Sequence, residues 1–244
     1  MRRLGLALLI LAASATAAAA QSIDLGNLLP QAGGTASGRI VQVVGLLTVL
    51  SIAPGLLVMV TSFTRFSIAF SFLRSGLGLQ TTPANIILVS LSLFMTFYVM
   101  APTFDRAWSD GLQPLLENKI DETQAYGRIT QPFRDFMLSQ VRDKDLKLFD
   151  DLAKDEIRIK ERSTADLRIL IPAFMISEIR RGFEIGFLIA LPFLVIDMVV
   201  STITMSMGMM MLPPTVVSLP MKVLFFILID GWNMLVGSLI RSYT

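Results

Sequence analysis

Residues 185–205 read IGFLIALPFLVIDMVVSTITM, twenty-one residues with a single charge, Asp197. As a helix rising about 1.5 Å per residue, this stretch is about 31 Å long, the thickness of a bilayer's hydrocarbon core. Three other stretches share its character. Residues 40–60 and 85–101 carry no charge, and residues 223–240 carry only Asp230. The whole chain of 244 residues is 53% hydrophobic and 16% charged, with a mean hydropathy of +0.65. A soluble domain is usually about 25% charged. The reading is an all-α integral membrane protein of about four hydrophobic helices.

The charges are gathered elsewhere. Of the 40 charged residues, 25 lie between residues 104 and 166. That segment reads as a soluble helical insert between a first pair of membrane-type helices (40–103) and a second pair (167–244). Thr130-Gln-Pro132 has the form of a helix start, Thr as cap and Pro in the first turn. Phe133 and Phe136 follow at helical spacing. Asp145 can cap a second helix that carries Phe149 on one side. Two uses of these aromatics stay open: a small core of their own, or a face that packs on another subunit. Helical periodicity alone favours the small core; because about sixty residues are few for a self-sufficient one, Phe133, Phe136 and Phe149 stand as candidate subunit-packing residues.

The N-terminus has a different logic. Arg2-Arg3, the apolar run 4–11 and a small-residue stretch ending Ala18-Ala19-Ala20 read as a cleavable signal peptide, residues 1–20. Residues 21–39, with Gly33-Gly34 and Ser37-Gly38, read as a flexible leader. Arg65 and Arg74 lie between the first two spans with no acid beside them. Short basic connections stay cytoplasmic. The insert 104–166 then faces the extracytoplasmic side, in agreement with the signal peptide.

The apolar stretches hold polar groups that need partners. Asp197 and Asp230 are too costly to face lipid. They either fix helix packing or form an ion or proton path; the second option defines an alternative function, a coupled membrane transporter. Glu178, Arg180, Arg181 and Glu184 sit between two apolar runs. Helical spacing pairs Glu178 with Arg181 and Arg180 with Glu184, at a span end or in a charged girdle between subunits. Residues 205–214 read MSMGMMMLPP. Met207, Met209, Met210 and Met211 are unbranched and soft, able to repack against irregular surfaces. They are either apolar filler or a deformable seal.

Composition removes other functions. The chain has no Cys and no His, which excludes thiol nucleophiles, disulfides, Cys/His metal sites and His-based triads. No GxxxxGK[ST] loop is present to hold a nucleotide. The net charge is +2, and Arg2 and Arg3 account for it, so nothing points to nucleic acid. The expectation is a non-enzymatic protein without catalytic residues, cofactor or metal.

Four strings carry a resemblance: TSFTRFSIAFSFLRSGLGLQTTPANIIL (61–88), PAFMISEIRRGFEIGF (172–187), MGMMMLPP (207–214) and DGWNMLVGSL (230–239). Through them the chain, from about residue 40 to 240, resembles the FliP/SctR family of type III secretion export-gate proteins, on its flagellar branch. The resemblance implies a core subunit of the flagellar export gate in the inner membrane and basal body. It implies a homo-oligomer, a pentamer in the family, in a ring with FliQ- and FliR-type subunits and beside other basal-body and export-apparatus proteins. The ring surrounds a channel for unfolded flagellar substrates. By position, the family's methionine gasket falls on Met207, Met209, Met210 and Met211. In that setting Glu178, Arg180, Arg181, Glu184, Asp197 and Asp230 would pair between subunits.

Overall fold

A computed structural model of the chain describes residues 36–79, 81–208 and 213–243. The expected signal peptide, the leader through residue 35, and Met209, Met210 and Met211 lie outside the described residues. The chain divides into two compact units, residues 1–51 and 52–244. The described part of the first unit is the beginning of helix α1 (Ala36–Val60). There Thr48 and Ser51 donate to the carbonyls of Val44 and Leu47, one turn back. A hydroxyl satisfied in this way can sit in an apolar stretch.

In the second unit every described element is a helix. Between its Pro54–Val60 portion and α2 (Phe63–Gly76) the chain bends by 85°. Hydroxyls stabilise the bend: Thr61 donates to the Leu57 carbonyl and Thr64 to that of Val58, both left without a helical partner. Residues 61–84 are therefore more than the short basic connection expected. α2 buries Phe66, Ala69, Phe70 and Leu73, and Arg65 is completely buried with them. Arg65 is thus held inside the protein and not in a solvated connection.

α3 (Asn85–Ala107) continues through a π-helical turn at Trp108–Leu112 into the short α4 (Gln113–Leu116). α5 (Glu122–Gln140) begins well before the expected start at Thr130. Its cap is Asp121, whose Oδ1 accepts from the Gln124 N–H at 2.7 Å. An acceptor at the cap satisfies an orphan N–H, whereas Pro132 inside the helix merely omits one bond. α6 (Asp143–Asp151) starts without a side-chain cap; Asp145 lies within its first turn and is buried.

α7 (Leu167–Ser206) is capped by Asp166, which accepts from the Arg168 N–H at 2.9 Å. At 40 residues it is about 60 Å long, twice a hydrocarbon core. The stretch 185–205 is thus the far half of one continuous helix. The expected span 223–240 is two pieces, α8 (Pro214–Leu228) and α9 (Gly231–Arg241), bent by 64°. The break falls at Asp230, whose φ is 50°, a conformation Asp and Asn tolerate better than other L-residues. Gly231 follows because a Cβ there would lie 2.2 Å from the Phe226 ring.

Helix α2 packs along α7, α6 rests on α7, and α8 returns beside it. The α2–α7 approach runs over glycines: a Cβ on Gly186 would stand 2.7 Å from Phe72, and one on Gly182 3.0 Å from Ile68. Small residues at helical spacing let two backbones close up. Gly186→Val is expected to overpack this seam by about 1–3 kcal/mol, read as a lower thermal midpoint of the detergent-solubilised chain. Two apolar cores result. One gathers α2, α3, Phe193, Phe226 and α9 residues Leu235 and Leu239. The other gathers Met137, Val141 and Leu146 of the insert against Ile169, Leu170 and Phe174 of α7.

Among the described residues, two helical stretches are long and apolar enough to cross a membrane, Asn85–Leu116 and Leu167–Ser206, and each bent pair qualifies if counted as one span.

Candidate functional site

The polar groups of the apolar stretches sort into two buried clusters and one exposed turn. The first cluster is built on Arg65 of α2 and Glu178 of α7, both with no exposed side chain. Arg65 Nε donates to Glu178 Oε2 at 3.0 Å and Nη2 to Oε1, a two-pronged ion pair. A planar guanidinium matches a carboxylate in this way. The remaining Arg65 donors reach Gln140 Oε1 (3.3 Å) and the Ser242 carbonyl and hydroxyl (3.0 and 2.8 Å). Tyr243 donates its hydroxyl to Glu178 and lays its ring 3.6 Å from the guanidinium carbon. Burial, and after it the negative charge of Glu178, push the Tyr243 hydroxyl well above its ordinary pKa, so it remains a donor.

Sequence spacing pairs Glu178 with Arg181; the structure gives Glu178 to Arg65 instead. The reason is position. Glu178 points into the protein beside α2, while Arg181 donates to Gln140 Oε1 at 3.0 Å. Arg180 pairs with Glu184 at 2.8 Å, both about half exposed. Next to the cluster, Ser177 donates to Asp145 Oδ2 at 2.7 Å and accepts from the Arg142 N–H at 3.1 Å. This fastens the start of α6 to α7 and explains why Asp145 is no cap. At the head of α7 the Arg168 side chain, with its backbone N–H, holds the Asp166 carboxyl down at about 2.

The second cluster joins the two helices that flank the methionine-rich stretch. Lys222 of α8 forms an ion pair with Asp197 of α7 and donates to the Gly76 carbonyl at the end of α2 (3.1 Å). Ser218 donates to the other Asp197 oxygen at 2.6 Å. Lys222 is almost fully buried and Asp197 about one third exposed. Asp230 stands apart, exposed at the α8–α9 bend. Among the described residues no three acidic side chains gather to hold a metal.

Beyond the Asp197–Lys222 tie, α7 runs to Ser206 and ends at Met207, an exposed side chain. Gly208 then takes φ 72°, which a glycine adopts without strain. The chain re-enters the described structure at Pro213, ahead of α8.

The three phenylalanines singled out in the insert have partners in their own chain. Phe133 meets Phe104 edge-on, Phe136 packs on Phe174 and Tyr243, and Phe149 lies against the insert core. Sequence reasoning missed Arg65, Gln140, Ser177, Lys222 and Tyr243. One signal was present. Lys222 stands alone in the apolar run 213–229, opposite in sign to Asp197 across the methionines.

Comparison with known proteins places this architecture. The model of the FliP family matches residues 46–239. The flagellar biosynthetic protein FliP of Rhizobium meliloti (strain 1021) is 64% identical over 229 residues, 93% of either chain. The protein of that name from Caulobacter vibrioides is 48% identical over 96% of this chain and 86% of its own. That of Bacillus subtilis (strain 168) is 48% identical over 83% of this chain and 91% of its own. A match of this extent runs through α2, both ion-pair clusters and the methionine-rich turn, and the chain belongs to the FliP family.

Proposed function

We propose that the chain is a pore-forming subunit of the flagellar type III protein export gate, required for flagellum assembly. Copies of it, together with FliQ- and FliR-type subunits, line a channel for unfolded flagellar proteins in the bacterial inner membrane. The charged insert faces the periplasm. Relatives named as flagellar biosynthetic proteins support the flagellar role.

One observation carries the pore reading. The hairpin of α7 and α8 is tied at its base by Asp197, Ser218 and Lys222, and at its tip Met207 is exposed and leads into Met209, Met210 and Met211. A tied stem thus leads, in sequence, into a soft apolar run. Methionine side chains have three rotatable bonds and a polarisable sulfur, and they conform to many shapes. A ring of such tips would close by apolar contact and yield to a passing chain without sequence preference. The exposed apolar residues of the stem, among them Phe187, Leu188, Leu194 and Met198, suit contact with lipid or neighbouring subunits. Phe136 and Phe149 then act on assembly indirectly, by holding the insert to α7, and Phe133 by holding it to α3.

The transporter reading draws less support. Asp197 is already held by Lys222 and Ser218, and Asp230 shares no partner with it. A photo-crosslinking residue at Met207 tests the pore reading. With an export substrate stalled in the gate, a covalent adduct to that substrate is expected. Adducts to lipid alone under the same conditions would contradict it.

A further inference from the structure

Tyr243 touches more elements than any role at the end of α9 requires. Its hydroxyl reaches Glu178 on α7 and the Ser62 carbonyl at the α1–α2 bend (3.3 Å). Its ring covers Arg65, stacks on Phe136 of the insert (6.0 Å, 19°) and tilts against Phe66 of α2 (5.6 Å). Its carbonyl accepts from Gln140 Nε2 at 3.4 Å. The two apolar cores are separate, yet Tyr243 packs against the first and Phe136 against the second. α9 enters the first core through Leu235 and Leu239, while the insert enters the second through Met137, Val141 and Leu146.

We propose that Tyr243 is the positioning residue that couples the charged insert to the helix pair following the methionine-rich turn. Through it, loosening the C-terminal end of α5 loosens α9, and the reverse. Coupling free energies between two sites are reciprocal, so the effect must be visible from both ends. A tyrosine that only tidied the end of α9 would act locally.

Hydrogen exchange on the full-length chain, purified in its complex, reads both ends at once. Tyr243→Phe removes the hydroxyl and keeps the ring; Phe136→Leu removes the stacking partner from the insert side. Each is expected to speed exchange about tenfold in residues 136–142 and in residues 231–241 together, by local opening. Ser242→Ala, which removes a hydroxyl that accepts from Arg65 and donates to the Leu239 carbonyl, is expected to give a weaker form of the same pattern and serves if the other variants fail to accumulate. Faster exchange confined to the element that carries the substitution would overturn the proposal, as would no change at either.

Discussion

Glu178→Gln is expected to lower the stability of the chain by about 3–5 kcal/mol, the usual effect of removing one partner of a buried ion pair. The amide can still accept one hydrogen bond, but the Arg65 guanidinium keeps its full charge with no exposed surface. The ring of Tyr243 offsets part of that charge, and it cannot replace a carboxylate. For a domain of this size the loss corresponds to a fall of about 10 °C in thermal midpoint. Replacing both partners, Arg65→Met with Glu178→Leu, is expected to recover part of it, since apolar residues of similar volume often match a buried pair. Recovery stops short because Ser242, Gln140 and Tyr243 each lose one of their partners. Arg180→Ala is the control: its ion pair with Glu184 is half exposed and contributes less than about 1 kcal/mol. A Glu178→Gln midpoint equal to that of Arg180→Ala would remove the buried pair from its place at the centre of the fold.

The second large effect is expected at Lys222. Lys222→Met keeps the length of the side chain and deletes the cation, leaving Asp197 with Ser218 alone and the Gly76 carbonyl without its donor. Because Asp197 is partly exposed, water softens the loss, and about 2 kcal/mol is the expected destabilisation. The functional effect should exceed it, because this tie sets where the stem of the methionine hairpin sits. Export, read as secreted flagellar protein per assembled gate, is expected to fall severely in Lys222→Met. It should return in part when Asp197→Asn is added, since the uncompensated carboxylate is then gone. Asp230→Asn should leave export near normal, because the residue is exposed and Asn accepts its left-handed conformation. If Asp230→Asn abolished export with assembly intact, the coupled-transport reading would take precedence.

Much of the architecture is legible in residue order alone. Long apolar runs announce helices of membrane length, and the charge concentrated between residues 104 and 166 marks the insert. Hydropathy fails where a helix is decided by something other than hydropathy. It cannot show that residues 61–76 fold back as α2, because Arg65 looks like a solvated loop charge until α7 supplies Glu178 from 113 positions away. It cannot show the α8–α9 break either, because Asp230 ends the helix by backbone conformation within an apolar run. Local spacing also misassigns partners. Glu178 and Arg181 lie within reach on one helix, yet the tertiary partner wins because it is planar, two-pronged and buried. The cap at Asp121 and the burial of Asp145 show the same ambiguity: several Asp and Thr residues can begin a helix, Asp121 does so by accepting from the Gln124 N–H, and Asp145 is taken by Ser177 of α7 instead.

A methionine-rich stretch that seals a pore holds ions back only while its side chains are long enough to fill it. Ion conductance across the membranes of cells carrying Met209→Ala, Met210→Ala and Met211→Ala together, with assembly of the gate verified in the same cells, tests the seal most directly. Shortened side chains should leave a gap that water and ions fill, so a raised leak at normal assembly is expected. Unchanged conductance with normal export would contradict the seal and reduce the methionines to packing.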